Sequence, residues 1–245
     1  MFKSGSTFSK MAKPFRFKQF SITQEHSAMK VGTDAVLLGA WADIESAKTI
    51  LDIGTGTGIL ALMMAQRNSK ATIYGIEYDT GAYQDAFKNA SNSKWKNRIH
   101  ILPDDVRNYR SNIKFEAIIS NPPFFSTGIS SSDIARSKAR HNTTLTSKQL
   151  INSVVNLLST KGHFHCILAA SEVEQFTNYA NKQHLYIYKF VNIRPHLSKP
   201  MHRMMMSFSR VNNEIEKSGM VLHNEGEREY SEAYTRLTKD FYLYM

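Results

Sequence analysis

The feature that most constrains the fold is a glycine-rich segment, Leu51-Asp-Ile-Gly-Thr-Gly-Thr-Gly-Ile-Leu60. It begins as an apolar run typical of a buried strand and continues, after Gly54, Gly56 and Gly58, into a second apolar run that can form a helix. Glycines allow a tight turn and a close approach of the backbone to a ligand. This order of strand, glycine turn and helix predicts a nucleotide-type cofactor site at the end of a strand in an α/β sheet.

Two common glycine motifs do not fit this segment. The dinucleotide fingerprint requires Gly or Ala at position 59, where this chain has Ile59, and the phosphate-binding loop requires a Gly-Lys-Ser/Thr ending that is absent. A strand Asp followed by Gly-x-Gly-x-Gly instead resembles the class I, Rossmann-like methyltransferases, which use S-adenosyl-L-methionine (SAM). The resemblance implies that Asp52 and the three glycines bind SAM.

Further along, short β-rich runs alternate with helix-like segments, which is typical of a sheet with helices on both faces. Segments between the first five runs can cross over as helices, so these strands should be parallel, whereas a loop with Pro195 and Pro200 makes the last strand antiparallel. We expect an α/β, class I methyltransferase fold with a seven-stranded, mostly parallel sheet. A single domain should span 15–245 after a basic, flexible leader at 1–14. The predicted strands are 49–53, 72–77, 98–102, 115–120, 163–169, 185–191 and 203–209.

Two helix starts can be predicted from capping signals. Thr146-Ser-Lys-Gln149 and Ser171-Glu-Val-Glu174 both fit the capping box, in which a hydroxyl and a side chain three residues later bond to free backbone amides. Each should therefore begin a helix.

Acidic residues at the ends of the next two predicted strands are candidates for further SAM contacts. In the resembled methyltransferases the second strand ends in an acid that pairs with the ribose hydroxyls, and Glu77 occupies that position. A carboxylate accepts two hydrogen bonds from a diol and repels a phosphate, which argues against NADP, although Glu77 could instead cap the following helix. Asp104 or Asp105 would accept a hydrogen bond from the cofactor's adenine amine. We favour Asp105, because the apolar pattern resumes directly after it at Val106. Alternatively, either residue could be an aspartate in an exposed turn.

Catalysis is predicted at Asn121-Pro-Pro-Phe124, which follows strand 115–120 at the sheet edge where ligands bind. The amine of an aromatic base is a poor nucleophile, so Asn121 Oδ1 and the Pro122 carbonyl should accept its hydrogens, in a geometry that the prolines fix. Phe124 should stack on the extruded base, which is worth about 1 to 3 kcal/mol. No metal is needed, because the methyl group leaves from a sulfonium. Alone, the tetrad could be an Asn-Pro turn beside a core Phe, but its place after the glycine loop favours methylation of an amine, with Asn121 also at the cofactor.

The charge distribution favours a polyanionic partner. The chain carries 31 Lys and Arg against 21 Asp and Glu, and residues 1–24 and 175–213 contain cations without acids. These segments should contact RNA phosphates, as should cations after the tetrad, although solvated surface charges would look the same. The predicted RNA-binding residues are Lys13, Arg16, Lys18, Arg136, Arg140, His141, Arg194, Lys199 and Arg203.

Export and membrane insertion are not expected. No apolar run approaches the roughly 18 to 20 residues that a bilayer span requires, and the basic N-terminus lacks a secretory signal pattern, so we expect a cytoplasmic protein. The single cysteine, Cys166, cannot form an internal disulfide and should be a buried core thiol.

Three further segments carry a closer resemblance. They are Phe15-Arg-Phe-Lys-Gln-Phe-Ser-Ile22, His26-Ser-Ala-Met-Lys-Val-Gly-Thr-Asp-Ala-Val-Leu-Leu-Gly-Ala-Trp41 and the C-terminal segment that begins at Tyr230. From Phe15 onward the chain resembles the bacterial valine-tRNA adenine-37 N6-methyltransferases, except that Phe124 replaces the commoner Tyr and 185–213 match less closely.

The resemblance implies a tRNA-modifying enzyme that uses SAM to methylate N6 of adenine 37, beside the anticodon of valine tRNA. It also implies that Lys30, Thr33 and Asp34 fold over the methionine end of SAM, with Thr33 and Asp34 also opening a helix, although capping alone is the alternative for both. We expect a monomer that binds tRNA.

Two other functions remain open from the sequence. The tetrad also suits an amine methyltransferase acting on guanine N2 of ribosomal RNA or on a release-factor glutamine. A catalytically silent, methyltransferase-like RNA-binding protein is the second alternative, but it would not need an intact Asn121 and intact glycines.

Overall fold

The computed structural model describes residues 13–123, 145–225 and 229–245. Within these ranges the helices are α1 (Thr33–Trp41), α2 (Ile59–Arg67), α3 (Thr80–Ser91), α4 (Ser147–Leu157), α5 (Val173–Lys182) and α6 (Glu232–Thr238). The strands are β1 (Phe15–Arg16), β2 (Ser21–Ile22), β3 (Thr49–Ile53), β4 (Thr72–Glu77), β5 (Ile99–Pro103), β6 (Phe115–Ser120), β7 (Leu158–Ala169), β8 (Tyr186–Arg194), β9 (Arg203–Ser209) and β10 (Glu216–Val221).

Eight strands form one sheet in the order β10-β8-β9-β7-β6-β3-β4-β5, and β1 pairs with β2 in a separate antiparallel sheet. Strand β9 runs antiparallel to β7 and β8, while every other neighbouring pair in the large sheet is parallel. The α/β class, the mostly parallel sheet and the antiparallel strand at 203–209 are therefore confirmed.

The predicted number of seven strands is wrong, because β10 forms an eighth strand in parallel with β8. Its first four residues, Glu-Lys-Ser-Gly, are exposed at the edge of the sheet. An edge strand that faces water needs no apolar pattern, so the usual strand signal is missing. Strand β7 is also longer than predicted, since it begins at Leu158.

One of the two predicted helix caps is confirmed. Thr146 Oγ1 accepts a hydrogen bond from the amide of Gln149 at 3.2 Å, and Gln149 Oε1 accepts from the amide of Thr146 at 2.9 Å, so α4 begins with a capping box. The prediction at Ser171 is wrong, because this residue lies in a 3-10 turn, Ala170–Glu172, and α5 begins after it without a side-chain cap.

Helices cover both faces of the sheet, as predicted. On one face α1, α2 and α6 bury side chains such as Leu37, Met63 and Tyr234, and on the other face α4 and α5 bury Leu150 and Phe176. Cys166 is a free, buried thiol of the second cluster, and burial raises the pKa of that thiol. No helix in the described ranges combines the length and apolar character needed to cross a membrane.

Candidate active site

A cavity of about 470 Å³ lies at the carboxyl ends of β3, β4, β5 and β6. Strands β4 and β5 are added on one side of β3, and β6 is added on its other side. This reversal of strand order creates a crevice, and open α/β sheets bind ligands in such a crevice. Its size falls within the roughly 300 to 1,000 Å³ of small-molecule sites. The lining residues are Ser27, Ala28, Met29, Ile53, Gly54, Gly56, Ile76, Glu77, Tyr78, Asp79, Ala82, Asp104, Asp105, Val106, Arg107, Ser120, Asn121, Pro122, Pro123 and Leu145.

The glycine loop has two different structural tasks. All three glycines adopt left-handed backbone conformations, with φ of 69° at Gly54, 57° at Gly56 and 79° at Gly58. A Cβ on Gly54 would meet nothing within 4 Å, and one on Gly56 would meet only a backbone oxygen at 4.0 Å, so these residues keep the cavity wall open. A Cβ on Gly58 would lie 3.3 Å from Ala86 Cα, outside the cavity lining. Gly58 therefore allows α3 to pack closely.

Glu77 lies at the end of β4 and lines the cavity. Its Oε2 accepts from the amide of Gly56 at 2.8 Å, and its Oε1 accepts from the amide of Asp79 at 2.9 Å. Burial raises the pKa of this carboxyl, against the opposing effect of the two amides. The side-chain cap of α3 is Asp79, which accepts from the amide of Ala82 at 2.8 Å, so Glu77 is not the cap. A carboxylate has about four acceptor sites, so Glu77 retains capacity for the ribose diol of SAM.

Both candidate adenine contacts line the cavity after β5. Asp105 is bound to Arg107, whose Nε donates to both carboxylate oxygens at 2.8 Å, and this side-chain hydrogen bonding lowers the pKa of Asp105. Arg107 in turn lies over the Tyr78 ring, 5.7 Å from its centroid. Asp104 is exposed and accepts from the amide of Asp105 at 2.7 Å. Because Asp105 already has a cationic partner, Asp104 is an equal candidate for the contact with the adenine amine of the cofactor.

The described part of the predicted catalytic tetrad also lines the cavity. Ser120 Oγ, at the end of β6, donates to the carbonyl of Ile53 at 2.9 Å and ties the two strand ends together. Asn121 and Pro122 follow directly, beside the glycine loop. Phe124 lies outside the described residues, so its stacking role stays a prediction.

The N-terminal segment reaches the cavity through Ser27, Ala28 and Met29 rather than through the predicted residues that follow. Lys30 Nζ donates to the carbonyl of Gln24 at 2.6 Å, and Asp34 Oδ2 accepts from Arg203 Nε at 2.8 Å. Thr33 and Asp34 begin α1, as predicted, but the capping alternative is wrong for both residues, because Gly32 occupies the N-cap position.

Asp52 lies beneath the glycine loop and outside the lining. It is fully buried, and its Oδ2 accepts from Thr55 Oγ1 at 2.5 Å. Burial raises the pKa of Asp52 to about 7. This carboxyl therefore supports the turn from within the protein.

The cations predicted to bind RNA differ in their surroundings. Lys18 Nζ donates to the carbonyls of Lys239 and Met245 at 2.5 and 3.2 Å, and Arg203 is paired with Asp34. The remaining described cations are exposed: Lys13, Arg16, Arg194 and Lys199. Three predicted positions lie outside the described residues: Arg136, Arg140 and His141.

Several lining residues were missed by the sequence analysis. Tyr78 and Asp79 directly follow Glu77, and Arg107 follows Asp105, so proximity to a predicted contact was the available signal. Ala82 is one helical turn beyond Asp79 on α3. No motif marks it.

Comparisons with known proteins give matches among methyltransferases. Residues 26–176 match the methyltransferase small domain family. A tRNA1(Val) (adenine(37)-N6)-methyltransferase from Bacteroides thetaiotaomicron is 41% identical over 96% of this chain and 100% of its own length. A protein of the same name from Pectobacterium carotovorum is 39% identical over 94% of each chain. Among solved structures, one described as a predicted O-methyltransferase from Agrobacterium tumefaciens has a TM-score of 0.66 at 18% identity, covering 85% of this chain and 96% of its own, which shows the shared fold.

Proposed function

The chain belongs to the methyltransferase small domain family and, within it, to the tRNA1(Val) (adenine(37)-N6)-methyltransferases, and we propose that it performs their reaction. It transfers a methyl group from SAM to N6 of adenine 37 in valine tRNA. The observation that carries the chemistry is the position of Asn121 and Pro122 on the wall of the cavity that also contains Gly54, Gly56 and Glu77. The methyl acceptor and the methyl donor can thus be held side by side.

Each described residue has a defined task in this proposal. Glu77 accepts from the ribose hydroxyls, and Asp104 or Asp105 accepts from the adenine amine of SAM. Asn121 Oδ1 and the Pro122 carbonyl accept the hydrogens of the target amine and favour its pyramidal form, in which the nitrogen lone pair is available. SAM supplies a methyl group on a sulfonium, which is a good leaving group. The proline at position 122 has no N–H that could compete for these acceptors.

The substrate assignment is tested with purified protein, labelled SAM and valine tRNA transcripts. Label should enter the parent transcript and be absent when adenine 37 is replaced by uracil, which has no exocyclic amine. Label that persists in the replaced transcript would refute the assignment and point to another amine, such as guanine N2.

The role of Asn121 is tested by Asn121→Ala. Removing one preorganised transition-state acceptor costs about a hundredfold or more in turnover. The affinity for S-adenosylhomocysteine should stay within about twofold, since the acceptor bonds are made to the target amine. Equal turnover in the variant and the parent would exclude the acceptor role.

RNA binding should rely on exposed cations such as Lys13, Arg16, Arg194 and Lys199. Affinity for tRNA should fall as salt concentration rises, because neutralised phosphates release counterions. An affinity independent of ionic strength would contradict a phosphate-binding surface. We further propose that the protein acts as a cytoplasmic monomer whose single domain spans 15–245; most of the predicted leader at 1–14 lies outside the described residues.

A further inference from the structure

One face of α3 carries polar side chains in the protein interior. Ala82, Asp85, Ala86 and Asn89 follow the three- and four-residue spacing that places side chains on one side of a helix, and all four are buried. Asp85 is 1% exposed and Asn89 is 4% exposed. Burying a carboxylate or an amide is costly unless hydrogen bonds compensate. Asp85 and Asn89 therefore require hydrogen-bond partners in the protein interior.

Asp85 binds the chain segment that leads into the cavity. Its Oδ2 accepts from the amides of His26 and Ser27 at 2.9 and 2.8 Å and from Ser27 Oγ at 2.7 Å. Its Oδ1 lies 3.2 Å from His26 Nδ1. Burial acts to raise the pKa of Asp85, but the hydrogen bonds from Ser27 and His26 outweigh it and hold this pKa below its ordinary value. The carboxylate thus fixes both the backbone and the side chain of Ser27.

The same helix face also binds Thr23 and the glycine loop. Asn89 Oδ1 accepts from the amide of Thr23 at 2.8 Å, and Asn89 Nδ2 donates to the carbonyls of Thr23 and Thr57 at 2.7 and 2.9 Å. Ala86 packs against Gly58 of the glycine loop. Helix α3 therefore joins residues 23–29 to the loop at 54–58, and both segments contribute residues to the cavity lining.

We propose that Asp85 is a positioning residue for SAM, which acts by fixing Ser27–Met29 as one wall of the cofactor cavity. The proposal rests on the use of SAM in the proposed function. Asp85 is not among the lining residues, so its effect on the cofactor must pass through the segment that it anchors. Its loss should loosen this wall and weaken cofactor binding while the catalytic acceptors stay in place.

The primary test is Asp85→Asn, assayed by calorimetric binding of S-adenosylhomocysteine without RNA. The amide oxygen of Asn can still accept hydrogen bonds, but bonds to a neutral acceptor are weaker than bonds to a carboxylate, so S-adenosylhomocysteine binding should weaken about tenfold. At saturating SAM, kcat should stay within about threefold and the KM for tRNA within about twofold, because Asn121 is untouched. Hydrogen exchange of the His26 and Ser27 amides should accelerate in the cofactor-free variant, since both donate to Asp85.

A second variant tests whether Asp85 acts through Ser27. Ser27→Ala removes one of the four contacts of Asp85 and should weaken S-adenosylhomocysteine binding about fivefold. If Asp85→Asn does not fold, Ser27→Ala tests the proposal in its place. The double variant should bind more tightly than the product of the two single effects predicts, because both substitutions weaken the same hydroxyl contact. Multiplied effects in the double variant would overturn the proposed route.

Glu25→Gln is the matched control. Glu25 pairs with Lys88 across the same segment and helix, at 3.5 Å and on the surface, so its loss should leave binding within about twofold. Parent-like binding and exchange in Asp85→Asn, or an equal loss in Glu25→Gln, would overturn the proposal. A parent that binds S-adenosylhomocysteine but does not methylate tRNA would refute only the substrate assignment.

Discussion

Two alanine substitutions in the glycine loop should distinguish a glycine needed for cofactor binding from a glycine needed for helix packing. Gly54→Ala and Gly58→Ala both place a side chain at a left-handed φ, of 69° and 79°, which costs about 1 to 2 kcal/mol. At Gly58 the new Cβ also lies 3.3 Å from Ala86 Cα and 3.4 Å from Ala86 Cβ, so α3 must shift. Overpacking of this kind adds about 1 to 3 kcal/mol. We expect total losses of about 1 to 2 kcal/mol for Gly54→Ala and about 2 to 5 kcal/mol for Gly58→Ala.

The two variants should rank in opposite order for cofactor binding. In a chain of this size each 1 kcal/mol lost from the free energy of unfolding lowers the Tm by about 2 to 4 °C. Gly58→Ala should therefore unfold at a lower temperature than Gly54→Ala. The Cβ of Gly54→Ala enters open space in the cavity wall, so this variant should bind S-adenosylhomocysteine much more weakly. Gly58→Ala, assayed well below its Tm, should bind with nearly parental affinity.

The assays are thermal unfolding followed by circular dichroism and calorimetric binding at 15 °C. Gly32→Ala is a control for the loss of a glycine, because its Cβ would meet only a backbone oxygen at 3.8 Å and its φ is −130°. It should change both quantities least. Equal Tm values for the two loop variants, or stronger cofactor binding by Gly54→Ala than by Gly58→Ala, would refute the division of tasks.

Three further predictions concern charge. Relative to Asp52→Asn, the parent's free energy of unfolding should fall as pH rises from 3.8 to about 7 and then level off. The cause is that the folded state holds the proton of the Asp52 carboxyl more tightly than the unfolded state does. Urea titrations at several pH values measure this free energy. Because burial raises the pKa of Glu77, acidification should weaken S-adenosylhomocysteine binding by the parent already above the ordinary glutamate pKa of about 4.3, and Glu77→Gln should bind weakly at every pH. Lys199→Gln should lower tRNA affinity and reduce the salt slope by about one, whereas Arg203→Gln should mainly lower the Tm, since it leaves Asp34 without this cation.

The fold was predictable where strands are buried. Strands 49–53, 72–77, 115–120 and 203–209 coincide with the structure because buried strands need continuous apolar runs. The cavity followed from the same reasoning, since parallel strands bring their carboxyl ends to one edge. Glu77 and Asn121 could therefore be expected near each other before their positions were known. Strand β10 was missed because its exposed edge position removes the apolar requirement.

Contacts between distant parts of the chain could not be predicted in this way. The resemblance identified the segment around Lys30 but not which of its residues face the cavity, because that depends on the anchoring of Ser27 by Asp85, 58 positions away. The pairing of Asp34 with Arg203 joins residues 169 positions apart. Such partners are set by how α1 and α3 pack on the sheet, and no local pattern records them.

The cofactor cavity occupies only one flank of the sheet. Its described lining comes from residues 27–29, from the segments around β3 to β6 and from Leu145, and none of it comes from β7, β9, β8 or β10, which extend the sheet by four strands. At about 4.8 Å per strand, this adds about 19 Å of edge beside Asn121, the proposed acceptor for the target amine. Substitutions on that flank would therefore leave the described lining of the methyl-donor cavity unchanged.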